Sequence, residues 1–589
     1  MKTTTIIRRT YLAVAVAAIG AGMASPAHAF KFDLDNGISG SVDSTLSFGV
    51  QRRMQSTNKS MVGNDNGGSV PTSGRLGEVV NGPGNGWSSD PDFNYSNVDD
   101  GNLNYKKGDI VSAVLKGTHE VSLKEQGNWA MLGRFTWSSD FAATNTARTP
   151  LDSQASDAVR QSVSLLDLWV SKDFKIGDNS AKIKLGNQVI SWGEDIFIFG
   201  GVNSINALDL RKAHIPGTQL KEIFIPAPMI SLNTAVARGV SLEAYYQFAW
   251  NGFKLDPAGT YWSTADFLGK GGRRGAAIPS SVGLGNIGDF DPTRGRSLAD
   301  VTASGGVVPV ENTKPNQGGQ YGLSMRFKPQ ESDTEYAGYF IRYHDKLPFV
   351  GFKVNPAVNN TFNLVAPGGL VAVEQYGEDR NLFGVSMNTK VGEWAVGAEV
   401  SYRPKDSVAI DPTVPFSGQY SVFSAPTNTV ANGYVGEKKY QAQATLFRFL
   451  PPELTQAVGA ADGYVMGEAA ITYYPNLDLS GAIPYLLNDY SLPTRTSWGY
   501  VAEIGFTYAN VFSSGWTMSP IVDFYHDVKG TSPNTIPFVE GRKALAIGLN
   551  FDYHNQWKVG LGYSNFFGGG NLNLMRDRDV ASLTMSYTF

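Results

Sequence analysis

Apolar and polar residues alternate strictly over the last ten positions of the chain, Val580–Phe589. The residues on one face are apolar: Ala581, Leu583, Met585, Tyr587 and Phe589. A period of two is typical of a strand with one apolar and one polar side. Such a strand is a poor edge for a soluble sheet, because exposed edges pair with other chains. In a membrane the same strand can pair with the first strand and close a barrel.

The same alternation recurs along the chain and predicts an all-β fold, a transmembrane antiparallel β-barrel of about 18 strands (16–20). The predicted strands are Ile38–Met54, Asp109–Leu123, Trp129–Ser138, Leu166–Phe174, Ala181–Trp192, Met229–Val236, Val240–Asn251, Tyr321–Lys328, Glu335–His344, Leu382–Lys390, Trp394–Arg403, Tyr440–Arg448, Val465–Tyr474, Trp498–Tyr508, Trp516–His526, Leu545–Tyr553, Trp557–Tyr563 and Val580–Phe589. A soluble sandwich is the less favoured interpretation.

Short turns alternate with long loops between these strands, as expected when one end of a barrel faces the periplasm and the other faces outward. An even strand number leaves both termini on the periplasmic side. Four predicted strands begin near a short turn with tryptophan, at Trp129, Trp394, Trp516 and Trp557. This pattern predicts a ring of indoles at one membrane interface.

The N-terminus predicts export. Met1–Ala29 has a basic start, an apolar run and the ending Ala27-His28-Ala29, which is typical of a secretory signal peptide. We therefore expect a single barrel domain over residues 30–589, in the outer membrane of a Gram-negative bacterium. The aromatic C-terminus resembles the signal that barrel-assembly machinery reads, with Phe589 as the contact, and the expected surroundings are outer-membrane lipid and lipopolysaccharide.

Composition narrows the functional classes. The net charge of −4 does not predict a nucleic-acid partner, and the absence of cysteine excludes disulfides and thiolate metal sites. The histidines are scattered, with no pair at metal-ligand spacing and no serine elbow, so we expect neither cofactor nor catalysis. His344-Asp345 and Tyr525–Asp527 could serve a barrel hydrolase, but wall residues are the favoured interpretation.

A barrel of this size is too wide for its own side chains to fill. The charged residues on polar strand faces should point into the lumen, because charge facing lipid is costly. The lumen-facing candidates are Asp43, Arg134, Asp167, Lys182, Lys184, Glu243, Arg326, Glu399, Arg403, Glu468, Glu503 and Asp523. Most of them are expected to be salt-bridged wall residues.

Ser191–Glu222 departs from the alternation. It is rich in Gly, Asn and charge, yet contains the apolar run Ile196–Phe199, which suits burial more than solvent. We therefore interpret it as a candidate plug or constriction, with a loop packed on the rim as the alternative. The candidate pore residues are Trp192, Glu194, Asp195, Asn203, Asn206, Asp209, Arg211 and Lys212.

Three stretches carry a resemblance to a known family: Phe32–Arg53, Leu165–Phe174, and IKLGNQVISWGEDIFIFGGVNSINALDLRK running on to IPGTQLKE. In these the chain resembles the proteobacterial outer-membrane proteins classed as domain of unknown function 1302. The resemblance implies an outer-membrane barrel. It also implies an envelope exporter or lipid-carrier-like protein as partner, and a role in moving hydrophobic molecules. No catalytic residues are known for the family.

The sequence thus predicts a non-enzymatic outer-membrane channel that passes small hydrophobic or amphipathic molecules. Two alternatives stay open. One is a general aqueous porin. The other is a surface adhesin or receptor that uses its long loops, Gln55–Gly108 and Gly252–Gly319.

Overall fold

The computed structural model describes residues 30–34, 37–63, 66–69, 98–272, 310–354, 370–412, 418–422, 424–426, 428–480 and 482–589. The predicted signal peptide lies outside the described residues. So do parts of both long loops, Gln55–Gly108 and Gly252–Gly319.

Eighteen strands form the wall of the molecule. They are β1 Ile38–Arg53, β2 Ile110–Glu125, β3 Trp129–Asp140, β4 Ser162–Ile176, β5 Asn179–Gln188, β6 Ala227–Ala237, β7 Val240–Gln247, β8 Gln320–Phe327, β9 Glu335–Tyr343, β10 Arg380–Val391, β11 Trp394–Ala409, β12 Tyr434–Phe449, β13 Asp462–Tyr473, β14 Thr496–Val511, β15 Trp516–Lys529, β16 Lys543–Tyr553, β17 Trp557–Phe567 and β18 Val580–Thr588. The predicted fold class and strand number are confirmed.

Each strand pairs antiparallel with its neighbours in sequence, and the ring closes where β18 pairs with β1. The closing register runs from Thr45 opposite Thr588 to Arg53 opposite Val580. A short strand, Phe30–Asp33, pairs with the periplasmic end of β1, below the point where β18 ends. Closure leaves none of the eighteen strands with an unpaired long edge, as a membrane-spanning sheet requires.

The two faces of the wall differ in chemistry. On β8, Tyr321, Leu323 and Met325 are exposed on the outer face, whereas Gln320 and Ser324 are buried on the inner face. The same outer position is taken by exposed apolar residues around the ring: Val170, Leu185, Val385, Leu446, Ile471 and Leu583. This apolar outer belt around a polar interior is the pattern of an outer-membrane barrel.

The wall is accompanied by short helices and strands, most of them in the extracellular connections. In the described part of the chain the α-helices are Asp100–Leu103, Ser153–Arg160, Leu210–His214, Leu220–Ile223 and Pro452–Ala457. Val310–Asn312, Phe349–Val354 and Leu370–Gln375 form a small sheet, and Ala207–Leu208 pairs with Phe224–Ile225. Among the residues that the structure describes, no helix is both long and apolar enough to cross a membrane.

Strand ends differ from the predicted boundaries in two directions. β5 stops at Gln188 instead of Trp192, because Ile190 and Trp192 turn inward and are buried in an apolar cluster. β11 continues to Ala409 instead of ending at Arg403. The register of β11 against β12 shifts between Arg403 and Asp406. This bulge accommodates Pro404, which cannot donate to the ladder.

Candidate functional site

The connection between β5 and β6 leaves the extracellular end of the wall and folds into the barrel. We call Ser191–Glu222 the lumen segment. At one end Pro216 packs against Gly49 of β1, where an added Cβ would meet its ring at 2.8 Å. At the other end the backbone of Glu194 binds β11. Because β1 and β11 lie on opposite sides of an 18-strand ring, the segment crosses the lumen rather than resting on the rim.

Two inward carboxylates hold the apolar part of the segment. Glu468 Oε2 on β13 accepts three successive backbone N–H groups, from Ile196, Phe197 and Ile198, at 3.2, 2.5 and 3.0 Å. Glu399 on β11 accepts from the backbone of Glu194 at 2.9 Å and of Val202 at 2.7 Å. Hydrogen bonds to a charged acceptor are stronger than neutral ones, so five such bonds fix the path of this chain.

Arg403, also on β11, binds the same turn from its carbonyl side. Its Nη2 donates to Gly200 O at 2.7 Å, to Gly201 O at 2.9 Å and to Ser204 Oγ at 2.7 Å. Its Nε donates to the Tyr343 hydroxyl at 3.1 Å. Carboxylates on the N–H groups and a guanidinium on the carbonyls leave few polar groups of the turn unpaired, which its burial demands.

Trp192 fixes the start of the segment on the neighbouring part of the wall. Its indole Nε1 donates to Glu243 of β7 at 2.9 Å, and its ring packs against Tyr245 and Tyr339. The surrounding cluster is apolar even though it lies inside the barrel: it includes Ile190, Val202, Ile205, Met229, Ile341 and Leu382. The segment thus covers the inner face of β9 around Tyr339 and Ile341.

The second half of the segment is held on the opposite wall by a buried ion pair. Lys116 Nζ of β2 lies 3.0 Å from both carboxylate oxygens of Glu222, and both side chains are buried. Glu222 Oε1 also accepts from the backbone N–H of Gln219, which completes a capping box on the helix Leu220–Ile223. Neither Lys116 nor Glu222 was among the predicted site residues.

Glu194 and Asp195 are the predicted pore residues that lie next to the anchoring carboxylates of Glu399 and Glu468. The Glu194 carboxylate accepts from Ser386 Oγ at 3.3 Å and from Asn388 Nδ2 at 2.9 Å on β10. Burial, with the nearby charges of Glu399 and Glu468, raises the pKa of Asp195 to about 8. Asp195 is therefore mostly protonated at pH 7 and adds little negative charge beside Glu399 and Glu468.

The other predicted pore residues shape the segment itself. Asn206 Nδ2 donates to Ile190 O at 2.7 Å and to Asn203 Oδ1 at 2.6 Å. Asp209 caps the helix Leu210–His214 by accepting from the Lys212 N–H at 3.1 Å.

Arg211 and Lys212 do not meet the anchoring carboxylates. Arg211 donates to Ala158 O and, at 2.8 Å, to Ser162 Oγ at the start of β4, so it ties the segment to the wall. Lys212 is buried, and burial lowers its pKa to about 8.

The predicted lumen-facing charges divide into two groups. Glu243, Glu399, Arg403 and Glu468 bind the lumen segment, as described above. The remaining ones pair along the wall. Arg134 lies 2.7 Å from Glu120 and 2.6 Å from Asp167, and Lys182 lies 3.4 Å from Asp173.

Five further candidates have partners on the wall. Lys184 lies over the Trp169 ring, 4.6 Å from its centroid. Arg326 pairs with Glu335 at 3.0 Å. Glu503 accepts from the Tyr464 hydroxyl at 2.5 Å and lies opposite Asp523 in register. Asp43 accepts from the neighbouring Ser41 hydroxyl.

A cavity of about 540 Å³ lies on the extracellular side of the lumen segment, and we call it the vestibule. Phe199, Gly200 and Ser204 of the segment contribute to its lining. Most of its described wall is apolar and comes from loops: Phe253, Leu255, Phe267, Leu347, Phe349 and Ile536. Five charged side chains also line it: Asp345, Lys346, Arg403, Asp406 and Lys439. Among these, only Arg403 was predicted as a lumen residue.

The histidines and aspartate considered for catalysis make contacts typical of wall and loop residues. His344 is buried, accepts the Asp379 N–H on Nδ1 and contacts Gly318 O through Nε2. His526 lies near the Tyr500 and Phe524 rings, and Asp527 pairs with Arg542 at 2.6 Å. In the described parts of the chain, no three His, Asp or Glu side chains come together as a metal site would require.

The family comparison agrees with the architecture. The profile of the family described as "Protein of unknown function (DUF1302)" matches residues 10–589. The chain belongs to this family. The resemblance noted in its sequence is therefore confirmed for nearly the whole chain. A search among curated proteins finds no match.

This DUF1302 protein is similar to three solved structures from other bacteria. Acinetobacter baumannii OccAB3 is 9% identical, with a TM-score of 0.40 over 93% of this chain and 99% of that one. Pseudomonas aeruginosa OpdK with vanillate is 8% identical, with a TM-score of 0.36 over 93% and 98%. A BenF-like porin from Pseudomonas fluorescens Pf-5 is 8% identical, with a TM-score of 0.41 over 93% and 98%.

Proposed function

We propose that this barrel is an outer-membrane channel that passes small hydrophobic or amphipathic molecules, with the lumen segment as its constriction. The observation that carries the proposal is the course of that segment. It is tied to β11 and β13 by five backbone hydrogen bonds and to β2 by a buried ion pair. A segment held from both sides of the lumen obstructs a wide aqueous path.

The size and lining of the vestibule support a small hydrophobic or amphipathic solute. Its size falls in the range of about 300–1,000 Å³ that small-molecule sites occupy, and such sites are mostly apolar with a few placed polar groups. Phe199, Phe253 and Phe267 provide apolar wall, while Arg403 and Lys439 provide the polar part. A general porin needs a continuous polar path. The apolar walls of the vestibule, above the bound lumen segment, disfavour such a path.

Planar-bilayer conductance of the refolded protein tests the constriction. We expect little or no current from a barrel that is heat-modifiable and therefore folded, and large steady steps after deletion of Gly193–Gly217. Large steps from the intact protein would favour the aqueous porin. Unchanged permeability in the deletion variant would show that the lumen segment is not the constriction.

Passage of hydrophobic solutes is tested separately in cells. Entry of 1-N-phenylnaphthylamine across the lipopolysaccharide leaflet should be faster in cells that express the intact barrel than in cells that carry the empty vector. Equal rates in both strains would contradict the proposed solute class. Protease shaving of the extracellular loops that abolished adhesion and left permeability intact would favour the adhesin.

A further inference from the structure

The vestibule is asymmetric in charge. Of the described residues that line it, Lys346, Arg403 and Lys439 are cationic, and Asp345 and Asp406 are anionic. Asp345 is already neighboured by Arg380 outside the lining, with 3.8 Å between carboxylate and guanidinium. The described lining therefore carries one more positive than negative charge, inside a cavity whose remaining wall is largely apolar.

Lys439 is a buried cation that is only partly paired with negative charge. It is buried on the inner face of β12, directly opposite Arg403 in register. The nearest carboxylate oxygen, of Asp406, is 4.0 Å from its Nζ. That carboxylate also accepts from the Tyr474 hydroxyl at 2.9 Å and lies 3.8 Å from Arg403. One carboxylate is thus shared by two cations and a phenol, so it only partly neutralises Lys439.

Lys346 adds a second ammonium group to the lining from the loop that follows β9. It is buried and donates to amide oxygens, Asn251 Oδ1 at 3.3 Å and Gln320 Oε1 at 3.2 Å. These amide oxygens carry no formal charge, so they do not neutralise the ammonium form of Lys346. A buried charge without a full counter-charge is costly, and an incoming anion that pairs with it recovers part of that cost.

We propose that the vestibule is a binding site for amphipathic monocarboxylates, with the carboxylate at Lys439 and the apolar body against the phenylalanine-lined wall. This inference rests on the proposed function and specifies its solute class. A neutral molecule would leave the excess cation unpaired, and an ammonium compound would add to it. The carboxylate would also lie beside Arg403, the residue that binds the turn of the lumen segment.

Three probes that share one ring system test the proposal: 2-naphthoate, 2-naphthalenemethanol and 2-naphthylmethylammonium. Binding is measured by calorimetry on the barrel in lipid nanodiscs, with empty nanodiscs as the reference for partition into lipid. We expect naphthoate to bind about tenfold more tightly than the alcohol, as one charge-assisted contact provides. The ammonium compound should bind most weakly.

The Lys439→Met variant locates the site. It should lower naphthoate affinity about tenfold and leave the alcohol nearly unchanged. Removing one of two facing cations relieves repulsion with Arg403, so the variant should fold, which heat-modifiability checks. The matched control is Lys184→Met, an inward lysine that packs over Trp169 and does not line the vestibule. Lys346→Met should give a smaller loss of naphthoate affinity.

Equal affinity for the three probes, or an unchanged naphthoate affinity in Lys439→Met, would overturn the proposal. The outcome is separable from that of the proposed function, because binding is measured without transport. Transport without carboxylate preference would reject only this inference. Carboxylate binding without faster solute entry into cells would reject only the channel.

Discussion

The wall of β10–β13 and the wall of β3–β5 both carry charged residues on their inner faces, yet these residues have different partners. On β11 and β13 the carboxylates of Glu399 and Glu468 accept backbone N–H groups of the lumen segment. On β3 and β4 Arg134 and Asp167 pair with each other at 2.6 Å. Strand periodicity places both sets in the lumen, and only the partner distinguishes an anchor from a wall ion pair.

The two sets of charges differ in how buried each charge would be without its partner. Glu468 is buried beneath the segment, so removing the segment would leave its carboxylate without the three N–H donors. Arg134 and its two carboxylates are more exposed and would be hydrated by lumen water. Exposed ion pairs contribute about 0–1 kcal/mol, whereas buried charges depend strongly on their partners.

The largest effect is expected when both anchoring carboxylates, Glu399 and Glu468, are removed. The double variant Glu399→Ala/Glu468→Ala takes the acceptors from five backbone N–H groups and should weaken attachment of the segment by on the order of 5 kcal/mol. We expect a clear rise in planar-bilayer conductance over the intact barrel. Glu335→Ala is the matched control, since Glu335 pairs with Arg326 and does not contact the segment. A conductance rise in the control alone would contradict the anchoring role.

The second-largest effect is expected from breaking the buried ion pair between Lys116 of β2 and Glu222. Lys116→Met leaves Glu222 buried without its counter-charge, and breaking such a pair costs about 3–5 kcal/mol. We expect faster protease cleavage within residues 206–222 in the folded barrel. The double variant Lys116→Met/Glu222→Met removes both charges and should recover most of the resistance. Equal cleavage of both variants would show that the pair does not hold the segment.

Asp195 should make the attachment pH-dependent. Burial beside Glu399 and Glu468 raises its pKa to about 8, while Arg403 opposes the shift. A carboxyl with a raised folded pKa stabilises the bound state most at low pH. That stability is lost as pH rises from the unfolded pKa of about 4 through about 8. Conductance should therefore rise as the pH is raised from about 5 to about 8, and Asp195→Asn should abolish that rise. The same rise in Asp195→Asn would assign it to another group.

The vestibule carries a weaker pH effect. Burial lowers the pKa of Lys346 to about 7, with Asp345 as the opposing charge, and burial raises the pKa of Asp345 to about 6. Raising the pH neutralises the lysine and ionises the aspartate, so both changes should disfavour an anion. Calorimetry should give weaker 2-naphthoate binding at pH 8.5 than at pH 6. In Lys346→Met the difference should shrink.

The smallest change in conductance is expected from removing ion pairs that link neighbouring strands of the wall. Arg134→Ala removes two ion pairs of β2–β4 that the segment does not depend on for its backbone bonds. We expect conductance within about twofold of the intact barrel and a stability change of about 1 kcal/mol. A conductance rise as large as that of the Glu399→Ala/Glu468→Ala variant would erase the distinction between the two walls.

The strands were predictable because their pattern is local. Alternation with period two appears in any window of a half-exposed strand, so all eighteen strands could be found from the sequence. Their ends were less predictable. β11 passes beyond Arg403 through a bulge at Pro404, and β5 ends early because Ile190 and Trp192 have inward partners. Both outcomes depend on contacts with distant parts of the chain.

The candidate site was predictable only as a segment. Loss of alternation and the run Ile196–Phe199 marked Ser191–Glu222 as unusual, but nothing local assigns Glu468 to a loop 270 residues earlier. The Lys116–Glu222 pair was missed for the same reason. The vestibule is assembled from four or more separate loops, so Lys439 and Lys346 carry no sequence signal beyond an inward or polar position.

The proposed constriction depends on where the lumen segment lies, and the absence of native cysteine makes that position directly measurable. A Cβ at Gly397 of β11 would lie 3.2 Å from Glu194 Cβ, close to disulfide spacing. The pair Glu194→Cys/Gly397→Cys should cross-link in the folded barrel under mild oxidation. The pair Glu194→Cys/Gly338→Cys should not, since Gly338 lies on the outward face of β9. Failure of the first pair to cross-link in a heat-modifiable barrel would contradict the placement of the segment.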